Sequence, residues 1–299
     1  MSTTIGYMSD LHNEFQRGRS PARPEREWFD LKQSRKSIQS HPSIGPVLDG
    51  LRGAKLDLMV LAGDIDIGEE AVAYADKVAL FLGVPVILVM GNHEAYGGRD
   101  LDLLIPEFHS AARATGGRVT FLENEAATFD LPDGRLHVLG CTLWTDYQLL
   151  GSADTAMAKA ANGLNDHRRI FLRGRLLSPE RARELHQESL DWLRRSVTHI
   201  RSTEGPEARI LIITHHAPHQ DASAPQFRTG DLAPAFASDL TAEIRDWRPA
   251  AWIFGHTHHS CRIDVDGIPV VSAQRGYLGS EAGAADFVPA VIEIYTNLR

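Results

Sequence analysis

Residues 86–94 read VILVMGNHE, and this stretch decides the fold. Five apolar residues, Val86 to Met90, run straight into Gly91, Asn92, His93 and Glu94. The run is short and β-branched, so it reads as a strand. Its apolarity is continuous rather than alternating, which places it in a sheet covered on both faces. Gly91 and Asn92 suit a turn. A turn does not explain His93 and Glu94.

The same pattern recurs along the chain. Thr3–Met8 reads as a first strand, Leu56–Leu61 as a second and Val84–Met90 as a third. Between the last two, Glu69–Leu82 has helical spacing, with Val72, Val78, Ala79 and Leu82 on one face. Strand, helix, strand at this spacing is a parallel βαβ unit. Asp100–Thr115 predicts a helix, as does Ser178–His199, where Pro179 follows Ser178 as N-cap. Arg118–Leu122, Ala127–Leu131, Arg135–Cys141, Arg209–Thr214, Ala250–Phe254 and Phe287–Tyr295 read as strands. Cys261–Val265 and Ile268–Ser272 flank Asp266-Gly267, a strong hairpin signal. Parallel units first and hairpins later predict an α/β fold, a four-layer αββα sandwich with two mixed β-sheets. Residues 1–299 are expected to form a single domain, with loop insertions at about 16–43 and 149–177. Charge alone reads both arginine-bearing insertions as solvated loops.

With 299 residues, 43% apolar and 23% charged, the chain can bury a substantial core. A net charge of −8 argues against a broad polyanion-binding surface. No apolar run is long enough to span a bilayer. The N-terminus lacks a basic segment followed by an apolar one, so no signal peptide is expected. Two cysteines, Cys141 and Cys261, do not make a disulfide framework. A cytoplasmic location is the natural expectation. Histidine is the unusual residue. Of 14 copies, His12, His93, His215, His216, His256, His258 and His259 fall in four short stretches, each beside an apolar run.

The strand ends carry these residues. The first strand is followed by Ser9-Asp10-Leu11-His12, the second by Ala62-Gly63-Asp64 and the third by Gly91-Asn92-His93-Glu94. RILIIT is followed by His215-His216-Ala217-Pro218, and AWIF by Gly255-His256-Thr257-His258. Residues two apart on an extended chain point the same way, so Asp10 and His12 are expected to converge. Ligands bind at the carboxyl ends of strands in open α/β sheets. The residue types gathered there are Asp, His, Asp, Asn, His, His and His. Imidazole mixed with carboxylate suits transition ions such as Mn, Fe, Zn or Ni better than Ca or Mg. Seven ligands exceed one tetrahedral site. They fit two ions sharing a carboxylate.

Each motif alone is weak. Asp-x-His and Gly-Asp are common by chance, His-His can be two surface imidazoles, and GHTH can be a mononuclear site. Their conjunction in one order, each at the end of an apolar run, is what carries weight.

The series DLH, GD, GNHE, HHAP and GHTH, from Asp10 to His258, resembles the calcineurin-like metallophosphoesterases. The resemblance implies a first metal held by Asp10, His12, Asp64 and His258. Asp64 then bridges to a second, completed by Asn92, His215 and His256. His93 is implied to be the catalytic histidine that donates a proton to the leaving group, with a metal-bridging hydroxide as nucleophile. The implied cofactors are two divalent or trivalent transition ions. The family ligand commonly follows the last strand residue, which selects His215 over His216. Protein Ser/Thr phosphatases of this family carry an arginine in a GDxVDRG-like segment and an acid that partners the GNHE histidine. Here the segment is GDIDIG, without the arginine and with Ile67 where that acid would stand.

The chain is more similar to small bacterial phosphoesterases, with GLNDHRRI (Gly163–Ile170) and Arg275-Gly276-Tyr277 as further signatures. His216, Asn165, His167 and Arg168 are the expected substrate contacts. The expected partner is a small-molecule phosphate ester, with no membrane. A nuclease is the less favoured alternative, because no basic track or stacking platform stands out. A non-catalytic scaffold is the other, and every ligand position being filled argues against it. Glu94 stays open between orienting a neighbour and capping the next segment.

Overall fold

The computed structural model describes residues 2–17, 44–51 and 53–295. The insertion expected at 16–43 lies almost wholly outside the described residues. Among the described residues, two mixed sheets face each other. The first has the order β13-β1-β2-β3-β4, with β1 Ser2–Met8, β2 Leu58–Ala62, β3 Val86–Val89, β4 Val119–Leu122 and β13 Ala290–Tyr295. β1 to β4 are parallel and β13 is antiparallel to β1. The second has the order β11-β12-β10-β9-β6-β5. Its strands are β5 Glu125–Leu131, β6 Gly134–Cys141, β9 Arg209–Thr214, β10 Ala251–Ile253, β11 Cys261–Val265 and β12 Ile268–Ser272.

The alternation of side chains on β3 shows how four layers arise. Ile87 and Val89 pack between the sheets with Val60, Val138 and Ile213. Val86, Leu88 and Met90 point outward, against the helices Glu70–Leu82 and Leu101–Ala114. β9 does the same in the second sheet: Leu211 and Ile213 face inward, while Ile210 and Ile212 meet the helix Pro179–Glu204. Three apolar cores thus separate four layers, as the unbroken apolar runs predict. Burying both faces is what fixes the register, since a slip of one residue would exchange the two cores.

The 149–177 segment corrects the expectation of a solvated loop. It contains the helix Ala153–Gly163, the short helix Asp166–Arg169 and a hairpin of β7 Phe171–Leu172 with β8 Arg175–Leu176. Ala156, Met157, Ala160, Ile170 and Leu177 are buried in the core beside β3. Charge patterning marked its outer face and concealed the inner one.

Candidate metal centre

The strands of both sheets end at one rim, and the candidate ligands hang from that rim. Asp10 and His12 follow β1, Asp64 follows β2 and Asn92 follows β3. His215 follows β9, and His256 and His258 follow β10. Asp10 and His12 do converge, but not through an extended chain. Both have left-handed backbone, with φ of 55° and 47°. Asp64, His256 and His258 are left-handed too, at 55°, 75° and 48°. Non-glycine residues adopt this region at a cost, and such strain collects at functional sites. Gly91 lets two turns meet: a Cβ there would collide with the Asp64 carboxylate.

His12, Glu14 and His93 come together in one grouping, and the candidate ligands form two clusters. Asp10, His12 and His258 form one, and Asp64, His215 and His256 the other, each with ligand atoms within 4.8 Å of one another. The Asp64 carboxylate spans both, with Oδ2 3.8 Å from His12 Nε2 and Oδ1 3.4 Å from His215 Nε2. Burial opposes ionisation of Asp64, yet the His215 and His93 rings hold its carboxyl well below the usual range.

The hydrogen atoms on these rings can be placed by elimination. His215 Nδ1 lies 2.8 Å from the Ala62 carbonyl, which can only accept, so Nδ1 carries the hydrogen. In the neutral ring, His215 Nε2 then presents a lone pair. It faces Asn92 Oδ1 at 3.1 Å and His256 Nδ1 at 3.2 Å. In the other cluster, His12 Nδ1 faces Glu14 at 3.3 Å and His258 Nδ1 faces Glu281 at 2.8 Å. Their Nε2 atoms point at each other across 2.9 Å. His256 Nε2 is buried with no protein partner. Neutral His12 and His258, each with its hydrogen on Nδ1, aim Nε2 lone pairs at each other beside carboxylates, which repel unless a cation, a proton or a metal ion, stands among them. The donor set therefore fits metal ions. Burial resists a charge on His215, but Asp64 and Asp10 draw its pKa up to about 10, so a ring with no metal ion beside it takes a proton at Nε2 in that cation's place.

A family model for calcineurin-like phosphoesterases matches residues 3–260. The chain belongs to the calcineurin-like phosphoesterases. Members of this family use divalent metals and hydrolyse phosphoesters. An uncharacterised protein of Acanthamoeba polyphaga mimivirus is 24% identical over 204 residues, 64% of this chain and 68% of its own. Among solved structures, phosphopantetheinyl hydrolase of Mycobacterium tuberculosis matches with a TM-score of 0.60 at 15% identity, covering 92% of this chain and 90% of that one. A dimetal phosphatase of Danio rerio matches at 0.51 and 17% identity, covering 98% and 93%. These structures share the fold.

Within this phosphoesterase, side chains outside the motifs set the orientation of those inside them. Asn92 donates from Nδ2 to Asp166 Oδ1 at 2.8 Å and to the Tyr96 hydroxyl at 3.1 Å, which turns Oδ1 toward His215. Tyr96 also donates to Asp166. Glu281 accepts from His258, and Glu14 faces both His12 and His93. Such outer partners fix ring orientation and ligand basicity. None of Glu14, Asp166 and Glu281 was reached from the sequence. Asp166 lies inside GLNDHRRI, between Asn165 and His167, so the segment carried a signal.

The expected substrate contacts are placed elsewhere. His167 is buried, with Nδ1 2.8 Å from the Leu177 carbonyl and Nε2 3.3 Å from the Tyr147 hydroxyl, so both nitrogens are taken. Arg168 is exposed and donates to the Asn162 carbonyl rather than entering the cleft. Asn165 is exposed at the start of the short helix and does not cap it. His216 is buried behind His256, its ring 4.1 Å from that ring and 5.1 Å from Trp144. Burial, and then the His215 charge, pushes its pKa down to about 3, so it is a neutral packing partner. Arg275-Gly276-Tyr277 does reach the centre. Gly276 N donates to the Asp10 carbonyl, and the Tyr277 hydroxyl lies 3.2 Å from His93 Nε2.

Glu94 resolves into a tie between loops. Its buried carboxylate accepts from the backbone N–H of Asp64 at 3.1 Å, Ile65 at 2.8 Å and Gly91 at 2.8 Å. Burial and the Asp64 charge push its pKa up to about 8, against the pull of those donors. Glu94 joins the β2 and β3 turns and does not touch the His93 ring.

Among the described residues, no helix is long and apolar enough to cross a membrane. Cys141 and Cys261 are both free thiols.

Proposed function

We propose that this protein hydrolyses a small-molecule phosphate ester at a binuclear centre of transition ions drawn from Mn, Fe, Zn and Ni. The observation that carries the reading is the pair of facing-acceptor clusters joined by one carboxylate, Asp64. Asp10, His12, His258 and Asp64 would hold one ion. Asp64, Asn92, His215 and His256 would hold the other. When bound, such ions lower the pKa of water to give a hydroxide nucleophile and neutralise phosphoryl oxygens. Asn92 adds a ligand without adding negative charge. His93 stands beside the clusters, its backbone N–H held 2.9 Å from Asp64 Oδ1 and its Nε2 beside Tyr277. It is the group we assign to protonate the leaving oxygen. Burial opposes a charge on His93, but Asp64 and Glu14 raise its pKa above the ordinary value, which favours the proton-bearing ring.

The test is a panel of phosphate mono- and diesters, cyclic nucleotides included, after reconstitution with each metal. Turnover with about two metal equivalents per chain, abolished by chelation, is the expected result. A protein that takes up no metal and turns over no ester would overturn the reading.

A further inference from the structure

His93 needs an orienting acid if it is to deliver a proton in one direction, and the position used by the protein phosphatases holds Ile67. Glu14 reaches the His93 ring from another part of the chain. It follows β1, two residues beyond His12, in the helical turn Glu14–Arg17. Its Oε1 lies 2.9 Å from Nδ1 of His93 and 3.3 Å from Nδ1 of His12. The carboxylate is 8% exposed, and its Oε2 is buried without a hydrogen-bond partner among the described residues. Among the described residues, no other carboxylate is within hydrogen-bond distance of the His93 ring. On the far side of that ring, Nε2 meets the Tyr277 hydroxyl. Tyr277 in turn packs on His12 and His258, with ring centroids 4.5 and 4.6 Å apart.

We propose that Glu14 is the positioning residue for His93, keeping a hydrogen on Nδ1 so that the proton released comes from Nε2, toward the cleft. This rests on the function proposed above. As the phosphorus–oxygen bond breaks, its electron pair stays on the leaving oxygen. That oxygen takes the Nε2 proton, and the Nδ1 proton remains against Glu14. The same oxygen of Glu14 turns Nε2 of His12 toward Asp64 and His258. One carboxylate thus aligns a ligand ring and a proton-donor ring.

The test uses the full chain loaded with zinc and two readouts. The first compares an alkyl phosphate ester with a dinitrophenyl ester, whose leaving group needs little help. Glu14→Ala should lose about 100-fold on the alkyl ester and under about tenfold on the activated one. Glu14→Gln, whose amide oxygen still accepts from Nδ1, should recover part of the loss. In a His93→Ala background, Glu14→Ala should cost the alkyl ester no more than the loss, under about tenfold, that the His12 contact brings to both esters. The second readout is the nitrogen-15 shifts of the His93 ring, which report the tautomer whether or not any ester is turned over. Read at a pH where the ring is neutral, they should show hydrogen on Nδ1 in the native chain and a shift toward Nε2 in Glu14→Ala. Equal losses on both esters, or an unchanged His93 signal, would overturn the proposal and leave Glu14 to His12 alone. If the native chain hydrolyses no ester, the proposed function fails, while the His93 signal still decides the role of Glu14.

Discussion

The two ends of the sandwich both place charge between the sheets, and they do so in opposite ways. At the strand starts, Arg209 of β9 reaches across to β1. Its Nη2 lies 2.6 Å from Thr3 Oγ1 and 3.0 Å from Asp133 Oδ2, and Thr3 donates to Asp133 Oδ1 at 2.6 Å. Donors meet acceptors and opposite charges meet each other. At the strand ends, the neutral rings turn acceptors toward acceptors: His12 Nε2 faces His258 Nε2, and His215 Nε2 faces Asn92 Oδ1. The first arrangement pairs its opposite charges within the chain, although Arg209 Nε and Nη1 are buried without a hydrogen-bond partner among the described residues. The second calls for cations from outside. Buried charge that is paired within the chain is structural, whereas buried charge of matching polarity marks a site.

His215→Ala should produce the largest effect. Metal content should fall and ester hydrolysis should drop to background, while the melting point of the metal-free protein moves little. Elemental analysis, turnover and a thermal scan measure the three. A metal-free variant that melts far below the metal-free native chain would break the contrast.

Arg209→Met should do the reverse. It strands the Asp133 carboxylate, a change worth on the order of 3 kcal/mol, with turnover per folded molecule unaltered. Denaturant unfolding checks it. Burial opposes ionisation of Asp133, but Thr3 and Arg209 hold its pKa below the ordinary value. The native advantage is therefore full above the unfolded carboxyl pKa and lost as pH falls through the lower folded one. An advantage that persisted in strong acid would show that packing, not charge, is the source.

Asp166→Ala should have the smallest effect. Asn92 loses its anchor, and metal affinity should fall about 10- to 100-fold with the fold intact. Asp166→Asn, which keeps an acceptor, should fall less. Metal titration separates them, and equal affinities for all three proteins would remove Asp166 from the site.

The cleft end was legible from the sequence where it coincides with the fold. VILVM, LMVLA and RILIIT are apolar because both faces are buried, and that burial makes the residues following them stand out. Asp10, Asp64, Asn92, His215 and His256 all sit within three residues of a strand end. Glu14, Asp166 and Glu281 do not share that advantage. Each reaches the site by a contact made across 79, 74 and 23 residues of chain, respectively. A lone acid in a polar segment carries no periodicity to betray it. The left-handed backbone at Asp10 and His12 was hidden for a different reason. Aspartate and histidine tolerate that region, and only the surrounding turns select it. The fold of 149–177 was obscured because its arginines face out while Met157 and Ile170 face in.

Each acceptor cluster draws on both sheets. Asp10 and His12 come from the first and His258 from the second. Asp64 and Asn92 come from the first, and His215 and His256 from the second. Ions seated there would act as a clasp across the seam, opposite the fixed bolt of Arg209. Ligand that binds the closed sandwich and not the open chain stabilises it by mass action. The temperature at which the two sheets part would then depend on free metal concentration, which makes the melting curve a titration of the cleft.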